Sequence, residues 1–558
     1  MNFLMRTKLL ASCAAALTFV AALPAHAQQD SAADVQQLRA SLLILVRTLL
    51  DQNLLTVAKA QEMLRQAGID PAGLTASTPT APPVAAVATP PAPPVVRVPY
   101  VPETVKRELR EEIRQEVLAT ARAERWGVPE ALPAWLSRFS FGGDVRVRLQ
   151  RDVFADDNVV PAQLDSYYQL LGATGQPTTA NTTETRERLR VRARLGVVGR
   201  VSDDVQAGMR IVTSGASNDP ASTNVDAGQA ERRYGVALDQ AYIGWGLGPY
   251  SVSGGRIANP YQTSDLLWAS DLTLDGVAAS WKPIFNYEWS AYTTVGIHPL
   301  REINNSQLSR ANDSWLIGAQ TGVQWKSGTG WGARAGVGLF DFKRIEARLN
   351  PAGAGDGSTT DYNDASPLVR TRGNTMFNIA AQSNPAGAAV WGIASKFRVL
   401  DLNASADYTT PELWRFGVQG DVLNNIGWNR DDIAGRIGAA ATALPGDLSC
   451  AAGTARLDCK RTKGYRFEFS AGRGLVEDEG SWTLSAGMRH LERDAVPDGF
   501  TPGDYRLGGT DVKASFIGGS YAPGRNTLLS LRYVNAEGID APVKLRVGTW
   551  TVDLQSRF

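Results

Sequence analysis

The chain has 558 residues, 43% of them hydrophobic and 20% charged, and a formal net charge of +1 at pH 7. The charge is close to zero, and no block of basic residues is present that could bind a phosphate backbone. A nucleic-acid partner is therefore not expected. Beyond the N-terminus no run reaches about 18 apolar residues, so a membrane-spanning protein with this sequence must cross as a closed β-barrel.

The N-terminal 27 residues have the pattern of a secretory signal peptide. Arg6 and Lys8 supply positive charge, residues 9–23 are apolar, and Ala25-His26-Ala27 forms an A-x-A cleavage site. An apolar stretch of about 15 residues is too short for a spanning helix. We therefore expect an exported protein whose mature chain starts at Gln28.

Residues 28–70 are predicted to form a helical hairpin or a short coiled coil. Three interpretations stay open: oligomerisation, an intramolecular hairpin, and docking to another component of the cell envelope. Apolar residues recur at alternating spacings of three and four, which is the pattern of a helical seam. They are Val35, Leu38, Leu42, Leu45 and Leu49.

Two further segments separate this helical region from the rest of the chain. Residues 71–99 are rich in proline, which favours polyproline II and predicts a semi-rigid linker. Residues 100–138 predict a charged helix with apolar positions at i, i+4 spacing, mostly a solvated face, with a peptidoglycan or partner contact as the alternative.

From Phe139 onward the hydrophobic period changes from helical to two, the period of a β-strand. Sixteen segments alternate in this way, and most are long enough for a tilted membrane strand. They lie near 139–149, 187–199, 204–213, 236–246, 250–257, 271–282, 286–297, 314–326, 331–342, 397–408, 412–424, 461–473, 481–491, 510–522, 526–535 and 545–558.

The connections between these segments alternate between short and long. Seven short ones are rich in turn residues, and eight intervening ones are usually longer. Short periplasmic turns, long outer loops and an even strand number are typical of outer-membrane barrels. The sequence thus predicts an all-β transmembrane fold: a barrel domain over 139–558 with about 16 antiparallel strands, and a small N-terminal α-helical extension in the periplasm.

The final strand has one apolar face, with Trp550, Val552, Leu554 and Phe558, and one polar face. A closing aromatic strand with this alternation suggests that the apolar face meets lipid. The ending resembles the signal that barrel-assembly machinery reads on bacterial outer-membrane proteins. Trp550 and Phe558 are the predicted assembly signal, and the machinery is an expected partner.

The chain resembles the "putative porin" family of proteobacterial outer-membrane proteins. The resemblance is carried by residues 49–56, the proline-rich spacer, the opening strand Phe141-Gly142-Gly143-Asp144-Val145-Arg146, residues 239–243 and Phe558. It implies a β-barrel channel, passive diffusion of small hydrophilic solutes and, as is common in porins, homotrimers. Outer-membrane lipid and lipopolysaccharide are the surroundings that it implies, and it names no solute.

If the apolar parity faces lipid, the other parity lines the pore. Four arginines alternate along residues 187–199, and such a row would be very costly toward lipid. Because adjacent strands lie about 4.8 Å apart, arginines on three consecutive strands should form one basic patch. The predicted patch consists of Arg146, Arg148, Arg188, Arg190, Arg192, Arg194 and Arg210.

Two readings of this patch stay open. Unneutralised arginines would attract anions and give the channel a mild anion preference. Alternatively, carboxylates across the lumen neutralise them and produce a transverse field. Acidic pore-lining candidates include Asp144, Glu288, Asp421, Glu468 and Asp553, together with Asp401 and Asp407.

Three further expectations concern single features. Cys450 and Cys459 are expected to form a loop disulfide, because an exported chain meets an oxidising compartment. The loop 343–396 either folds inward and constricts the pore or remains an outer loop. Aromatic residues near strand ends suit girdles at the two membrane interfaces; they include Trp268, Trp281, Trp331, Trp414 and Trp550.

Catalysis is not expected, because the mature chain has only His298 and His490 and neither lies near a G-x-S-x-G motif. No metal site or cofactor is predicted. An energy-coupled transporter would need a folded plug, which residues 28–138 are too proline-rich and helical to supply. The remaining alternative to a channel is a structural barrel whose periplasmic helices tether the envelope by binding peptidoglycan or a partner.

Overall fold

The computed structural model describes residues 136–160, 181–214, 221–230, 233–262, 264–302, 313–350, 373–380, 391–437, 460–475, 477–540 and 544–558. The signal peptide, the helical region 28–70, the linker 71–99 and all but the last three residues of the charged helix 100–138 lie outside these ranges. So do Cys450 and Cys459.

Sixteen antiparallel strands form one closed sheet, in which each strand pairs with its neighbours in sequence and the last pairs with the first. All sixteen segments predicted from the alternation correspond to strands, which confirms the predicted barrel. The strands are β1 Phe139–Phe154, β2 Arg186–Arg200, β3 Val205–Ser214, β4 Gly235–Leu247, β5 Tyr250–Ala258, β6 Thr273–Trp281, β7 Trp289–Arg301, β8 Ser314–Lys326, β9 Trp331–Lys343, β10 Phe397–Thr409, β11 Trp414–Asn425, β12 Lys463–Arg473, β13 Trp482–Leu491, β14 Val512–Gly524, β15 Thr527–Gly538 and β16 Arg546–Arg557.

Short elements decorate the connections. Val225–Asp226 adds two residues of strand beside β2, and Met376–Asn378 pairs with Trp391–Ile393. The described helices are a 3-10 turn at Leu136–Arg138, an α-helix at Arg430–Ile437 and a 3-10 turn at Asp498–Phe500. None of the helices in the described part of the chain is long and apolar enough to cross a membrane.

The barrel closes along the seam between β1 and β16. Their register runs from Asp144 opposite Arg557 to Phe154 opposite Val547. Beyond it, Gly143 and Phe558 exchange backbone hydrogen bonds in both directions, at 2.9 and 3.1 Å. The seam therefore leaves no free strand edge, which is the condition for a sheet to lie in hydrocarbon.

The two faces of the strands differ as the alternation predicts. Leu149, Leu531 and Leu554 are about half exposed in the isolated barrel, as are apolar residues of the same parity on other strands. The opposite parity of β1 holds Asp144, Arg148 and Gln150, which are buried. An apolar outer surface and a polar interior are what a barrel in a bilayer requires.

The connections alternate as predicted. One end of the barrel carries turns such as 248–249 and 525–526, and the other end carries connections such as 259–272 and 492–511. At this long-connection end, an apolar core fills part of the interior between the two segments 259–272 and 492–511 and the wall strands. The interior is consequently narrowed at this end by packed side chains that include residues of strands from β6 to β15.

Gly143 is required for the seam. A Cβ at this position would lie 2.3 Å from the carbonyl oxygen of Arg194 and 2.8 Å from the ring of Phe558. At the adjacent Gly142 the nearest such atom is 3.5 Å away, an ordinary contact.

We expect Gly143→Ala to lower the free energy of unfolding by about 1–3 kcal/mol, because an overpacked methyl must displace backbone or ring. Gly142→Ala is the matched control and should change it far less. Urea titration of the folded barrel in detergent or lipid measures both variants. Equal stability of the two would contradict this account of the seam.

Candidate functional site

The predicted arginines lie together on the inward parity of β1 to β3. Register places Arg146 opposite Arg192 and Arg148 opposite Arg190. Like charges directly opposite one another on a sheet destabilise it unless they are compensated. We call this surface, formed by Arg146, Arg148, Arg188, Arg190, Arg192, Arg194 and Arg210, the arginine wall.

Carboxylates from neighbouring strands supply part of the compensation. The Asp144 carboxylate forms ion pairs with Arg192, at 2.8 Å, and with Arg194. The side chains of Asp144 and Arg192 are only 7% and 5% exposed. Arg148 binds Asp553 across the seam through two parallel bonds, Nε at 2.7 Å and Nη2 at 2.8 Å. This bidentate geometry is the stronger form of the arginine–carboxylate pair.

Two further ion pairs between strand residues complete this first group. Arg188 binds Asp152 at 2.7 Å, and Arg210 binds Asp239 on β4 at 2.5 Å. All four carboxylates therefore come from the wall itself or from the strands on either side of it.

The connections supply three more carboxylates, which link inward-folded chain to the wall. Asp226 lies 2.8 Å from Arg190, Asp271 lies 3.2 Å from Arg192, and Asp504 lies 3.1 Å from Arg148. The wall is thus an attachment surface for segments that fold inward from the long-connection end.

Of the two readings left open by the sequence, the described contacts favour neutralisation. Six of the seven arginines pair with seven aspartates, although Asp226 and Asp504 also contact arginines outside the wall. Arg146 differs from the others: its described hydrogen bond is to the amide oxygen of Asn224, at 2.6 Å. The carboxylates are interleaved with the arginines and do not form a separate opposite wall.

Two of the connection carboxylates, Asp271 and Asp504, are held in their charged form by neighbouring arginines. Burial by itself would raise the pKa of Asp271, but Arg192 and Arg194 together with the Thr223 backbone N–H lower it below its usual value. Burial likewise opposes the charge on Asp504, and Arg148 and Arg532 lower its pKa overall. A lowered carboxyl pKa stabilises the folded state above the ordinary pKa of about 4, and this contribution is lost as acid protonates the group.

The segment 259–272 is anchored by apolar packing as well as by charge. Leu266 and Leu267 are fully buried, and the Trp268 ring meets the rings of Phe340 and Phe500 edge-on at 5.4 and 5.6 Å. The sequence placed Trp268 in an interfacial girdle, and this prediction is wrong: its ring is 3% exposed inside the barrel. Periodicity cannot distinguish an aromatic residue that flanks a strand from one in a connection that folds inward.

Polar contacts fix the start of the same segment. The Gln320 side-chain amide donates to the Gln262 carbonyl at 2.5 Å, and the Gln262 N–H donates to the Gln320 side-chain oxygen at 2.7 Å. The Ser264 hydroxyl donates to Asp421, which is fully buried. Asp421 therefore holds inward-folded chain and does not meet the arginine wall in the described contacts.

The other acidic candidates lie apart from the wall. Glu468 pairs with Arg466 on its own strand. Glu288 lies in a short connection, where the Trp325 indole N–H approaches it at 3.4 Å. The described part of the chain contains no cluster of three or more His, Cys, Asp or Glu side chains able to hold a metal.

Much of the loop 343–396 lies outside the described residues. Its described part packs against other connections: Thr375 binds Asp494, and Asn374 binds the carbonyls of Arg493 and Val496. In the described part of the chain, the segments 259–272 and 492–511 narrow the interior of the barrel. The sequence analysis did not predict this role for either segment. Asp226 and Asp504 were missed for the same reason, since alternation places strand residues only; Asp271 starts the predicted segment 271–282 but belongs to the connection before β6.

Several pairs of aromatic residues lie at the short-connection end of the strands. Pairs form between Tyr250 and Trp281, between Trp331 and Tyr408, and between Trp414 and Trp482, with centroids 6.5, 4.6 and 5.7 Å apart. Paired aromatic rings at one end of the strands are expected at a membrane interface.

The family model described as "Putative porin" matches residues 39–558. The chain belongs to this family. The membership and the closed barrel support an outer-membrane channel protein and indicate a channel rather than an enzyme. No curated protein gives a significant match to the chain.

Solved outer-membrane proteins resemble the chain at low sequence identity. One is the outer membrane channel DcaP of Acinetobacter baumannii, with a TM-score of 0.38 and 7% identity over 75% of this chain and 97% of that chain. Another is OprB of Pseudomonas putida, with a TM-score of 0.41 and 9% identity over 75% of this chain and 94% of that chain. OmpF of Salmonella typhi, solved with daunomycin, has a TM-score of 0.38 and 10% identity over 75% of this chain and 97% of that chain.

We expect Trp268→Ala to release the segment 259–272 from the interior of this porin. Loss of a buried tryptophan side chain removes about 3–5 kcal/mol of packing. Single-channel conductance in planar bilayers should increase. Trp331→Ala, which removes an exposed ring at the other end, is the control and should leave conductance unchanged; the same result for Trp268→Ala would refute the role of this segment.

Proposed function

We propose that the barrel is a water-filled channel for passive diffusion of small hydrophilic solutes across the outer membrane. The observation that carries the proposal is the division of faces in a closed sheet: apolar side chains outside, and arginine and aspartate side chains inside. Charges are retained on the inner face of a membrane barrel at a high desolvation cost unless water or partners meet them. Arg188, Arg190, Arg194 and Arg210 all keep part of their side chains exposed.

The solute route in this proposal passes the arginines of the wall whose side chains the inward segments leave partly exposed. The wall is nearly balanced, so we propose only a mild anion preference. It would come from inward arginines whose described hydrogen bonds go to neutral partners. Arg146 binds Asn224, Arg334 binds Gln262, and Arg415 binds Thr483.

Reversal potentials across a bilayer in a KCl gradient test this preference. The unaltered protein should be weakly anion-selective. Asp226→Asn should become more anion-selective, because it removes a carboxylate from Arg188 and Arg190. Asp157→Asn, which breaks an exposed pair with Lys544 in the connections, is the control. A clear cation preference of the unaltered protein would refute the proposal.

Swelling of proteoliposomes in solutions of uncharged sugars tests passive diffusion itself. Entry should be fast for small sugars and fall with size. Deleting residues 28–138 while keeping the signal peptide should leave this permeability intact. A barrel that excludes every sugar, with or without these residues, would favour the alternative of a structural barrel that tethers the envelope through its N-terminal region.

A further inference from the structure

A second arginine cluster lies inside the barrel and is linked to the arginine wall by Asp504, which is 3.1 Å from Arg148 and 3.9 Å from Arg532. Arg466 on β12, Arg489 on β13 and Arg532 on β15 converge beneath the segment 492–511. Two aromatic rings hold these cations together. Arg489 lies 4.5 Å and Arg532 5.3 Å from the centre of Tyr505, and Arg466 and Arg532 lie 5.1 and 4.9 Å from Phe516.

Arg489 is the unusual member of this cluster. It is 1% exposed, and its Nε and Nη1 atoms have no hydrogen-bond partner among the described atoms. Its Nη2 reaches only the Leu266 carbonyl, at 3.3 Å. A buried guanidinium with unused donors is costly, and such groups are normally satisfied by an anion or a carbonyl.

The carboxylate at the centre of the cluster comes from the chain itself. Asp265, on the inward segment 259–272, binds Arg466, accepts a hydrogen bond from the Tyr505 hydroxyl at 2.7 Å and lies 3.7 Å from Arg532. The Tyr505 hydroxyl in turn accepts a bond from Arg532 at 2.6 Å. Asp265 therefore meets donors arranged as they would be for a free carboxylate.

This arrangement is reachable from the interior. The side chains of Arg532 and Asp265 are 29% and 24% exposed, whereas Arg489 forms the closed bottom of the cluster. Other carboxylates only partly offset the cations. Glu468 binds Arg466, and Asp504 lies 3.9 Å from Arg532 while also binding Arg148.

We propose that Arg466, Arg489, Arg532 and Tyr505 form a binding site for small carboxylate solutes, and that Asp265 is its internal competitor. Arginine matches carboxylate geometry with two parallel donors, and the tyrosine hydroxyl adds a third donor. The solute carboxylate takes the contacts with Arg466, Arg532 and the Tyr505 hydroxyl that the Asp265 carboxylate otherwise makes. The inference rests on the proposed channel function for the route by which the solute arrives.

Succinate binding to the full-length protein in detergent, measured by calorimetry, tests the site. A tethered competitor acts at an effective concentration in the millimolar range, so removing it should tighten binding by about tenfold. Asp265→Asn should show this gain. Asp341→Asn, which takes a carboxylate from Arg398 and Lys343 elsewhere, is the matched control and should bind as the unaltered protein does. The neutral isostere succinamide should not bind.

Two second-site substitutions test whether the tighter succinate binding of Asp265→Asn arises at this site. In the Asp265→Asn background, Arg532→Gln should abolish it, and Tyr505→Phe, which keeps the ring and removes the hydroxyl, should reduce it. Equal affinity of Asp265→Asn and Asp341→Asn, or a gain that survives both second-site changes, would overturn the proposal. Conductance separates the two proposals: succinate binding without conductance refutes the channel, and conductance without the tenfold gain refutes the site.

Discussion

Closure of the backbone hydrogen-bond network is the constraint on which the rest of this structure depends. In hydrocarbon an unpaired N–H or C=O costs several kcal/mol, so a sheet that crosses a membrane cannot keep a free edge. The pairing of β1 with β16, extended by the mutual bonds of Gly143 and Phe558, meets this requirement. It brings the two ends of a 420-residue domain into register, so Arg148 and Asp553 can bind across the seam.

Closure also determines how the interior is filled. Once alternate side chains point into an enclosed space, every inward charge must find water or a counterion. The arginine wall meets aspartates from strands and from connections alike, and this places Asp226, Asp271 and Asp504 where they attach inward chain. The second arginine cluster follows the same rule through Asp265. Charge pairing and the apolar contacts of Trp268 act together, so the inward segments are part of the folded interior.

The barrel can be predicted from the sequence, but the positions of its connections cannot, for a physical reason. The period of two along β2 follows from strand geometry alone, so the parity of Arg188 to Arg194 could be read directly. Connections have no period: nothing in residues 259–272 showed that Trp268 would pack against Phe340, or that Asp265 and Asp271 would meet arginines. Their positions depend on contacts between residues far apart in the chain, such as Ser264 with Asp421. The arginine wall could therefore be predicted as a surface but not as an ion-paired one.

The most direct test of this account is single-channel recording of the unaltered full-length protein in a planar lipid bilayer. A closed barrel with a charged, hydrated route beside its inward segments predicts discrete conductance steps that scale with salt concentration. Protein that is shown to be folded and inserted, by its resistance to protease and heat, but that gives no steps would contradict the account. In that case the ion-paired interior would be a sealed core, and the barrel an anchor.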